Sequence, residues 1–472
     1  FWAAHVVHHQ SQDYNLSTAL RQTSSGALLG WIFYLPMALA GVPPLVFGVV
    51  ALIDLLYQFW VHTEHVPRLG WFDRWFCSPS NHRVHHAVND RYLDRNYGGV
   101  LVVWDRLFGS FKEEDEKCVY GTRAPLDSWD PLWSNAEVYW ALARDSWRAK
   151  RWSDKLRVWF KPPGWRPADV AARFPRTSFD IARVQRSHPP MTRSAAWFGG
   201  VQFLGLLAGV SVFLWQADGA PLAVSSVWLA VLAAALWAVG AVMQGRIGIL
   251  EALLIESAAL ATATAAVGLP ELHRVFKPLT MALAIALVAA RPRAPGTGRF
   301  DALLVAALAF SLLGDVFLML PGRFIPGLVA FLVAHLCYVA LLRQQVGWLP
   351  RPAALAATLG AGAAVYALLF PGLDPVLKGA VAAYVVVIAV MAAQAIGRAA
   401  VLKDPASLLV ATGAVFFMAS DTLLALNRFW QPLPMAQFWV LVTYYVAQIL
   451  IAVNARPCPA AGALDRPTVA TA

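Results

Sequence analysis

Residues 301–342 read DALLVAALAFSLLGDVFLMLPGRFIPGLVAFLVAHLCYVALL. Two apolar runs of about twenty residues flank Arg323, and a helix of that length crosses the ~30 Å hydrocarbon layer of a bilayer. Similar runs lie near 197–216, 221–243, 246–268, 275–290, 352–370, 378–397, 405–426 and 436–454, which with 301–320 and 324–342 predicts ten spans. In lipid every backbone N–H and C=O must be satisfied within the segment, so such runs are helical. The fold class expected is therefore an all-α integral membrane protein.

The composition agrees. Of 472 residues, 58% are hydrophobic and 14% charged, where a soluble domain carries about 25% charge to keep its surface solvated. The net charge of +10 is concentrated before residue 190, for example at Arg144, Arg148, Lys150, Arg151, Lys155, Arg157 and Lys161. Between apolar spans, that excess fits anionic lipid headgroups and a cytoplasmic face rather than nucleic acid, which is excluded as a partner. With 149–193 taken as cytoplasmic, the cytoplasmic loops hold Arg246; Arg291, Arg293 and Arg299; Arg343 and Arg351; Arg398 and Lys403; and Arg456 and Arg466. The opposite loops hold Arg274, Lys277, Arg323, Lys378 and Arg428. That bias supports the span count and a cytoplasmic C-terminus. Cys77, Cys118, Cys337 and Cys458 show no CxxC spacing, hence neither a disulfide framework nor a zinc motif.

The first 190 residues are different. Residues 1–25 and 62–190 are polar, aromatic and histidine-rich, and the apolar stretch Ala27–Trp60 between them is broken by Gly41-Val42-Pro43-Pro44. Two membrane helices with a turn at the prolines are expected there, and an aqueous cap or interfacial collar over 112–193. Eight of the eleven histidines precede residue 87. His5, His8 and His9 form one HxxHH group; His82, His85 and His86 form another. On a helix, positions i, i+3 and i+4 lie on one side, so each group is expected to aim its imidazoles at a single point. Imidazole is a common ligand for iron, zinc and copper. His62 joins the set at the end of a polar stripe through Asp54 and Gln58, spaced i, i+4 and i+8.

These residues carry a resemblance. HVVHHQSQDYNLSTALRQ, FWVHTEHVPRLGWFD and SPSNHRVHHAVNDRYLDRNYGGVLVVWDRLFGSF resemble the fatty-acid hydroxylase/sterol desaturase superfamily, and most closely its alkylglycerol monooxygenase branch. GRIGILEALLIE, near 245–256, is similar to that branch's later membrane helices. The resemblance implies two iron ions held by histidines, with tetrahydrobiopterin and O2 used to hydroxylate the ether-bearing carbon of glycerol ethers. It implies His5, His8, His9, His62, His82, His85 and His86 as metal ligands, with Asp94, Arg95, Asn96 and Tyr97 supporting the second motif; His65 is expected to stay outside the set. The family's first histidine motif would precede FWAAHVVHH, so the expectation is an N-terminally truncated histidine-box di-metal domain over 1–190. Helices over 195–270 are expected to complete it.

Beyond residue 275, polar residues within the spans stand out. Asp315 and Asp421 lie at similar depth in spans that run in the same direction. A carboxylate inside a span costs a few kcal/mol and is a functional hypothesis by default, and two at one depth are suited to share a proton as acid and base. Lys277, His335, Asn427, Tyr444 and Gln448 are the expected pocket or supporting residues, with Tyr338 and Tyr445 near them. The plainer readings are a snorkelling lysine, a structural histidine hydrogen bond and interfacial tyrosines.

KPLTMA, the block from GDVFLML to FIPGLVAFLVAHLCY, GAVFFMASDTLLALNRF and YYVAQ resemble the YhhN-type lysoplasmalogenases over about 275–455, with a flexible tail at 456–472. That resemblance implies hydrolysis of the vinyl ether of lysoplasmalogens, without a cofactor. The reading is a polytopic bundle fused to a di-metal oxygenase half, both cleaving ether lipids to fatty aldehydes. Membrane lipids would be the substrates, and a bacterial inner membrane with a cytoplasmic metal site the location. Two alternatives stay open: a sterol or fatty-acid hydroxylase or desaturase with a C-terminal lipid-binding domain, and a transporter in which Asp315 and Asp421 relay protons.

Overall fold

In the computed structural model, residues 1–26, 30–292 and 297–457 are described. Arg293, Cys458, Arg466 and most of the expected 456–472 tail lie outside them. The chain divides into two compact units, Phe1–Thr192 and Arg193–Ala472. Among the described residues both are built from helices, and the β-pairing present is two isolated bridges in the first unit, Phe76 with Leu101 and Ala87 with Tyr120.

The first unit begins with α1 (Trp2–His9) and α2 (Leu16–Leu20), followed by α3 (Leu35–Leu39) and α4 (Pro44–Trp60). Asn15 starts α2 with a reciprocal cap: its Oδ1 accepts from Ser17 N while Thr18 Oγ1 accepts from Asn15 N. The stretch between the two histidine-rich parts is shorter than two full spans. A 3-10 turn at Gly30–Tyr34 leads into α3, and α4, at 17 residues, rises about 25 Å, short of a ~30 Å crossing. Pro43 and Pro44 impose this geometry, since Pro44 opens α4 where its missing N–H has no partner to lose. Then come α5 (Pro79–His86), α6 (Val103–Phe108), α7 (Pro131–Arg148), α8 (Trp152–Phe160) and α9 (Ala168–Arg173).

The second unit holds ten helices long and apolar enough to span. They are α10 (Arg193–Gln216), α11 (Leu222–Met243), α12 (Ile249–Ala266), α13 (Pro270–Ala289), α14 (Gly298–Met319), α15 (Phe324–Leu342), α16 (Pro352–Leu369), α17 (Pro375–Leu402), α18 (Pro405–Phe429) and α19 (Ala436–Asn454). The protein is an integral, multi-pass membrane protein. The helix starts are written in the sequence: α13, α16, α17 and α18 open on proline, and Asp374 and Asp404 cap α17 and α18 by accepting backbone N–H bonds. The core joins α12 to α15 and α17 to α19 through residues such as Leu254, Met281, Leu304, Phe331, Tyr338, Met391, Phe417 and Ile451. Lipid tails give no hydrophobic drive for helices to associate, so close backbone approach must supply dispersion contacts instead. Gly413 makes such an approach: a Cβ there would lie 3.0 Å from the Ala447 carbonyl oxygen, so α18 and α19 would have to separate by a few tenths of an ångström to admit a side chain. The helices over 193–266 cluster with this second unit.

Candidate metal centre and carboxylate site

Seven histidines of the first unit gather into two groups. His8, His62, His82 and His86 form one, and His5, His9 and His85 the other; within each, potential ligand atoms lie within 4.8 Å of one another. In the first group Nε2 of His62 lies 3.1 Å from Nε2 of His8 and 3.1 Å from Nε2 of His82, and Nε2 of His86 lies 3.2 Å from that of His82. The groups adjoin, with the His9 and His86 rings stacked at 4.2 Å.

Each HxxHH motif is divided between the groups rather than aimed at one point. Successive helical residues turn by 100°, so i and i+4 differ by about 40° while i+3 swings about 60° the other way. His5 and His9 therefore face one group and His8 the other, and His82 and His86 separate from His85 in the same manner.

The orientation of the rings is set from behind. Nδ1 of His8, His62 and His85 lies 3.1, 2.7 and 3.3 Å from the carbonyl oxygens of Arg21, Gln58 and Arg95. A carbonyl only accepts, so each Nδ1 carries the proton and each Nε2 keeps its lone pair for a metal. His9 Nε2 is buried without a hydrogen-bond partner. Burial, reinforced by neighbouring imidazoles, lowers His5 and His62 to about 4 and His8 to about 3, and holds His9, His82 and His86 well below the usual value. Neutral imidazole is the metal-binding form. Converging lone pairs, a partnerless buried nitrogen and neutral rings fit a pair of metal ions.

Supporting contacts surround the groups. The helix with Asp54 and Gln58 ends at Trp60, so His62 is placed by a turn and by its bond to the Gln58 carbonyl. Gln58 donates to Asp54 Oδ2 at 2.7 Å, and Gly99 packs so closely that a Cβ would lie 2.7 Å from Asp54 Oδ1. Asn96 donates to the carbonyls of Asn81 and Lys112 and accepts from Lys112 N, which ties α5 to the following chain. Arg95 contributes its carbonyl to His85, and Tyr97 N donates to Asp105. Asp94, at φ 54°, supplies a left-handed turn before them. His65 is exposed and belongs to neither group. Arg83, which the sequence reading passed over, makes a half-buried two-pronged ion pair with Glu114 at 2.7 and 2.8 Å. An arginine inside the NHRVHH motif was its only signal.

In the second unit, each carboxylate has its own partners. Asp315 Oδ2 accepts from Tyr444 OH at 2.6 Å, and Oδ1 lies 3.3 Å from Lys277 Nζ. Asp421 Oδ2 accepts from Tyr384 OH at 2.5 Å and lies 3.3 Å from His335 Nε2, which is itself 2.9 Å from Tyr384 OH. No hydrogen bond joins the two carboxylates among the described residues. Phe417 stands between the two sets, its ring 4.6 Å from His335 and 5.5 Å from Tyr444. Their depths also differ: Asp315 is four residues from the end of α14, Asp421 eight from the end of α18, about one and two turns.

Gln448 accepts from Tyr338 OH at 2.8 Å below this layer. Asn427 sits apart from both sets, its Oδ1 accepting from Leu433 N to fasten the loop after α18. Asp421 also borders a cleft enclosing about 760 Å³ of atom-free space, part of it open to the outside. Its lining is apolar apart from Asp421, Thr422 and Tyr384.

Residues 272–455 match the model of the YhhN family. Lysoplasmalogenase TMEM86B of Sus scrofa is 36% identical over 163 residues, covering 34% of this chain and 67% of that protein. The chain belongs to the YhhN family. In front of this YhhN part, residues 1–110 match the fatty acid hydroxylase family. Alkylglycerol monooxygenase of Xenopus tropicalis is 40% identical over 219 residues, 46% of this chain and 48% of that protein, and its Homo sapiens counterpart 40% over 211 residues, 44% and 46%. The chain spans about half the length of these relatives. No solved structure matches it. Within the YhhN part, Tyr384 is the residue that sequence reasoning missed. A single hydroxyl in the apolar run AVAAYVVVIAV was its only mark, and a tyrosine there reads equally as packing.

Proposed function

We propose that the chain is an ether-lipid-cleaving enzyme with two centres: an iron-dependent, alkylglycerol monooxygenase-like half and a lysoplasmalogenase-like half, both releasing fatty aldehydes. For the YhhN half, the observation that carries the reading is Asp421: a carboxylate inside a span, held by Tyr384 and His335, bordering an apolar cleft. A lipid chain fits such a cleft, and its first polar bond comes to rest at the acid. Asp421 donates a proton to the outer alkenyl carbon, which leaves an oxocarbenium-like centre at the carbon bonded to oxygen. As carboxylate it then takes a proton from the water that attacks that centre. The hemiacetal collapses with transfer of its hydroxyl proton to the glycerol oxygen, giving aldehyde and alcohol. Tyr384 and His335 orient the carboxyl through both steps. Asp315, ion-paired with Lys277 and accepting from Tyr444, stands across Phe417 as a supporting group.

For the first half, the two histidine groups would each hold one iron. Reduced iron with open positions supplies O2 activation, with tetrahydrobiopterin as reductant, for hydroxylating an ether carbon. The chain's own part is to present seven neutral imidazoles, three of them with tautomers fixed by the Arg21, Gln58 and Arg95 carbonyls. The helices over 195–270 are read as part of this half by descent, and 275–455 as the hydrolase. The cytoplasmic face of a bacterial inner membrane is the proposed site of the metal centre, on the loop-charge bias.

The test is aldehyde release from a choline lysoplasmalogen by detergent-purified protein without iron, pterin or reductant, beside Asp421→Asn and Asp315→Asn. Release by the parent and its loss in Asp421→Asn supports the reading. A folded parent that releases none refutes it for this half.

A further inference from the structure

One rim of the cleft carries positive charge that the chemistry at Asp421 does not use. Phe324 and Phe429 line the cleft there, their rings 5.8 Å apart and edge to face. The Arg428 guanidinium lies 4.0 Å over the Phe324 ring and 5.7 Å from that of Phe429. Beside them, Lys378 Nζ lies 4.2 Å over the Phe370 ring. The turn holding Phe370 is pressed onto the end of α18: a Cβ on Gly372 would collide with the Phe429 carbonyl oxygen. Neither cation has a carboxylate within ion-pair distance among the described residues, and Asp374 is committed to capping α17 through Val376 N and Leu377 N. A cation laid on an aromatic face is positioned while its outward N–H groups stay free, and guanidinium matches phosphate oxygens two at a time.

Arg428 follows Asp421 by seven residues, two turns of α18 and about 10 Å along the same face. We propose that Arg428, assisted by Lys378, binds the phosphate of a single-chain glycerophospholipid, so that this half selects phosphate-ester lipids over neutral alkenylglycerols. The proposal deepens the vinyl-ether reading and rests on it. With phosphate at the rim, the glycerol spans the two turns to Asp421, and the aliphatic chain continues along Val385, Ile388 and Met418. A role limited to anchoring helix ends among headgroups would serve every substrate alike, and the test turns on that difference.

In neutral detergent, kcat/KM is measured on a choline lysoplasmalogen and on the matching 1-alkenylglycerol for the parent, Arg428→Gln, Arg428→Lys and Lys378→Gln. Arg428→Gln is expected to lose tenfold or more on the phospholipid, mainly through KM, to stay within twofold on the neutral lipid, and to be partly rescued in Arg428→Lys. Equal loss on both substrates, or loss on neither, overturns the proposal. Binding of a saturated 1-alkyl lysophosphocholine, which has no vinyl ether to cleave, is followed in parallel by tryptophan fluorescence. A tenfold weaker Kd in Arg428→Gln, with no competition from millimolar inorganic phosphate, supports a lipid phosphate site. An unchanged Kd, or competition by inorganic phosphate, overturns it. If the parent cleaves neither lipid, the vinyl-ether reading fails and the binding series alone decides this one.

Discussion

Tyr384→Phe removes one oxygen from the carboxylate site and leaves the ring in place. In the parent, the Tyr384 hydroxyl donates to Asp421 Oδ2 at 2.5 Å and stands 2.9 Å from His335 Nε2. Hydrogen bonds to a charged group contribute about 1.5–3 kcal/mol. Phenylalanine keeps the packing of the ring, 5.4 Å from that of His335, so cavity costs are small. If Asp421 must be held through proton donation and recovery, the whole of that bond is lost from the transition state. At about 1.4 kcal/mol per decade, aldehyde release should fall roughly 10- to 150-fold in kcat, with KM nearly unchanged because the apolar cleft is intact. The assay is coupled aldehyde oxidation with a lysoplasmalogen substrate, beside Asp421→Asn as the inactive reference. A Tyr384→Phe protein within twofold of the parent, while Asp421→Asn is dead, refutes the argument that this hydroxyl positions the acid.

Other consequences are equally direct. His86→Ala removes a ligand from the four-histidine group and His85→Ala one from the three-histidine group, so metal analysis of reconstituted protein should show each variant losing about one metal per chain; loss of both metals from either would mean that the groups are not separate sites. Metal removal by a chelator should leave lysoplasmalogen cleavage unchanged, since no histidine of either group belongs to the carboxylate site; parallel loss would tie the two activities together. Gly314→Ala would set a Cβ 2.6 Å from the Phe331 ring, whose neighbours are Phe417 and Tyr444. Overpacking of this kind costs about 1–3 kcal/mol, so the variant should melt earlier and lose aldehyde release as Tyr444 shifts from Asp315; a variant as stable and active as the parent would show that Phe331 moves freely.

Several features of the site were legible before any coordinates. The HxxHH spacing marked imidazoles on one side of a helix, and Asp315 and Asp421 stood out because lipid makes a carboxylate costly. The partition of the histidines was less accessible. Both motifs contain the turn that sends two rings to one group and the third to the other, yet which ring from one helix meets which from another depends on how α1 and α5 pack. Tyr384 stayed hidden for a similar reason, since its hydroxyl gains meaning only where α15, α17 and α18 meet. Asn427 misled in the opposite sense: near Asp421 in sequence, its side chain turns to the Leu433 backbone.

The sequence by itself determined the ten long spans after residue 190, their helical state and the residue types able to bind metal or move a proton. Each of those follows from local quantities: run length against bilayer thickness, backbone satisfaction in lipid, and the chemistry of single side chains. The tertiary structure decided the rest: the stretch over 30–60 as two short helices, the division of seven histidines into four and three, the separate partners of Asp315 and Asp421, and the apolar cleft that Asp421 lines and Asp315 does not. These depend on contacts between residues up to 129 positions apart. No local pattern encodes which faces meet, because that choice is settled by packing over the whole bundle.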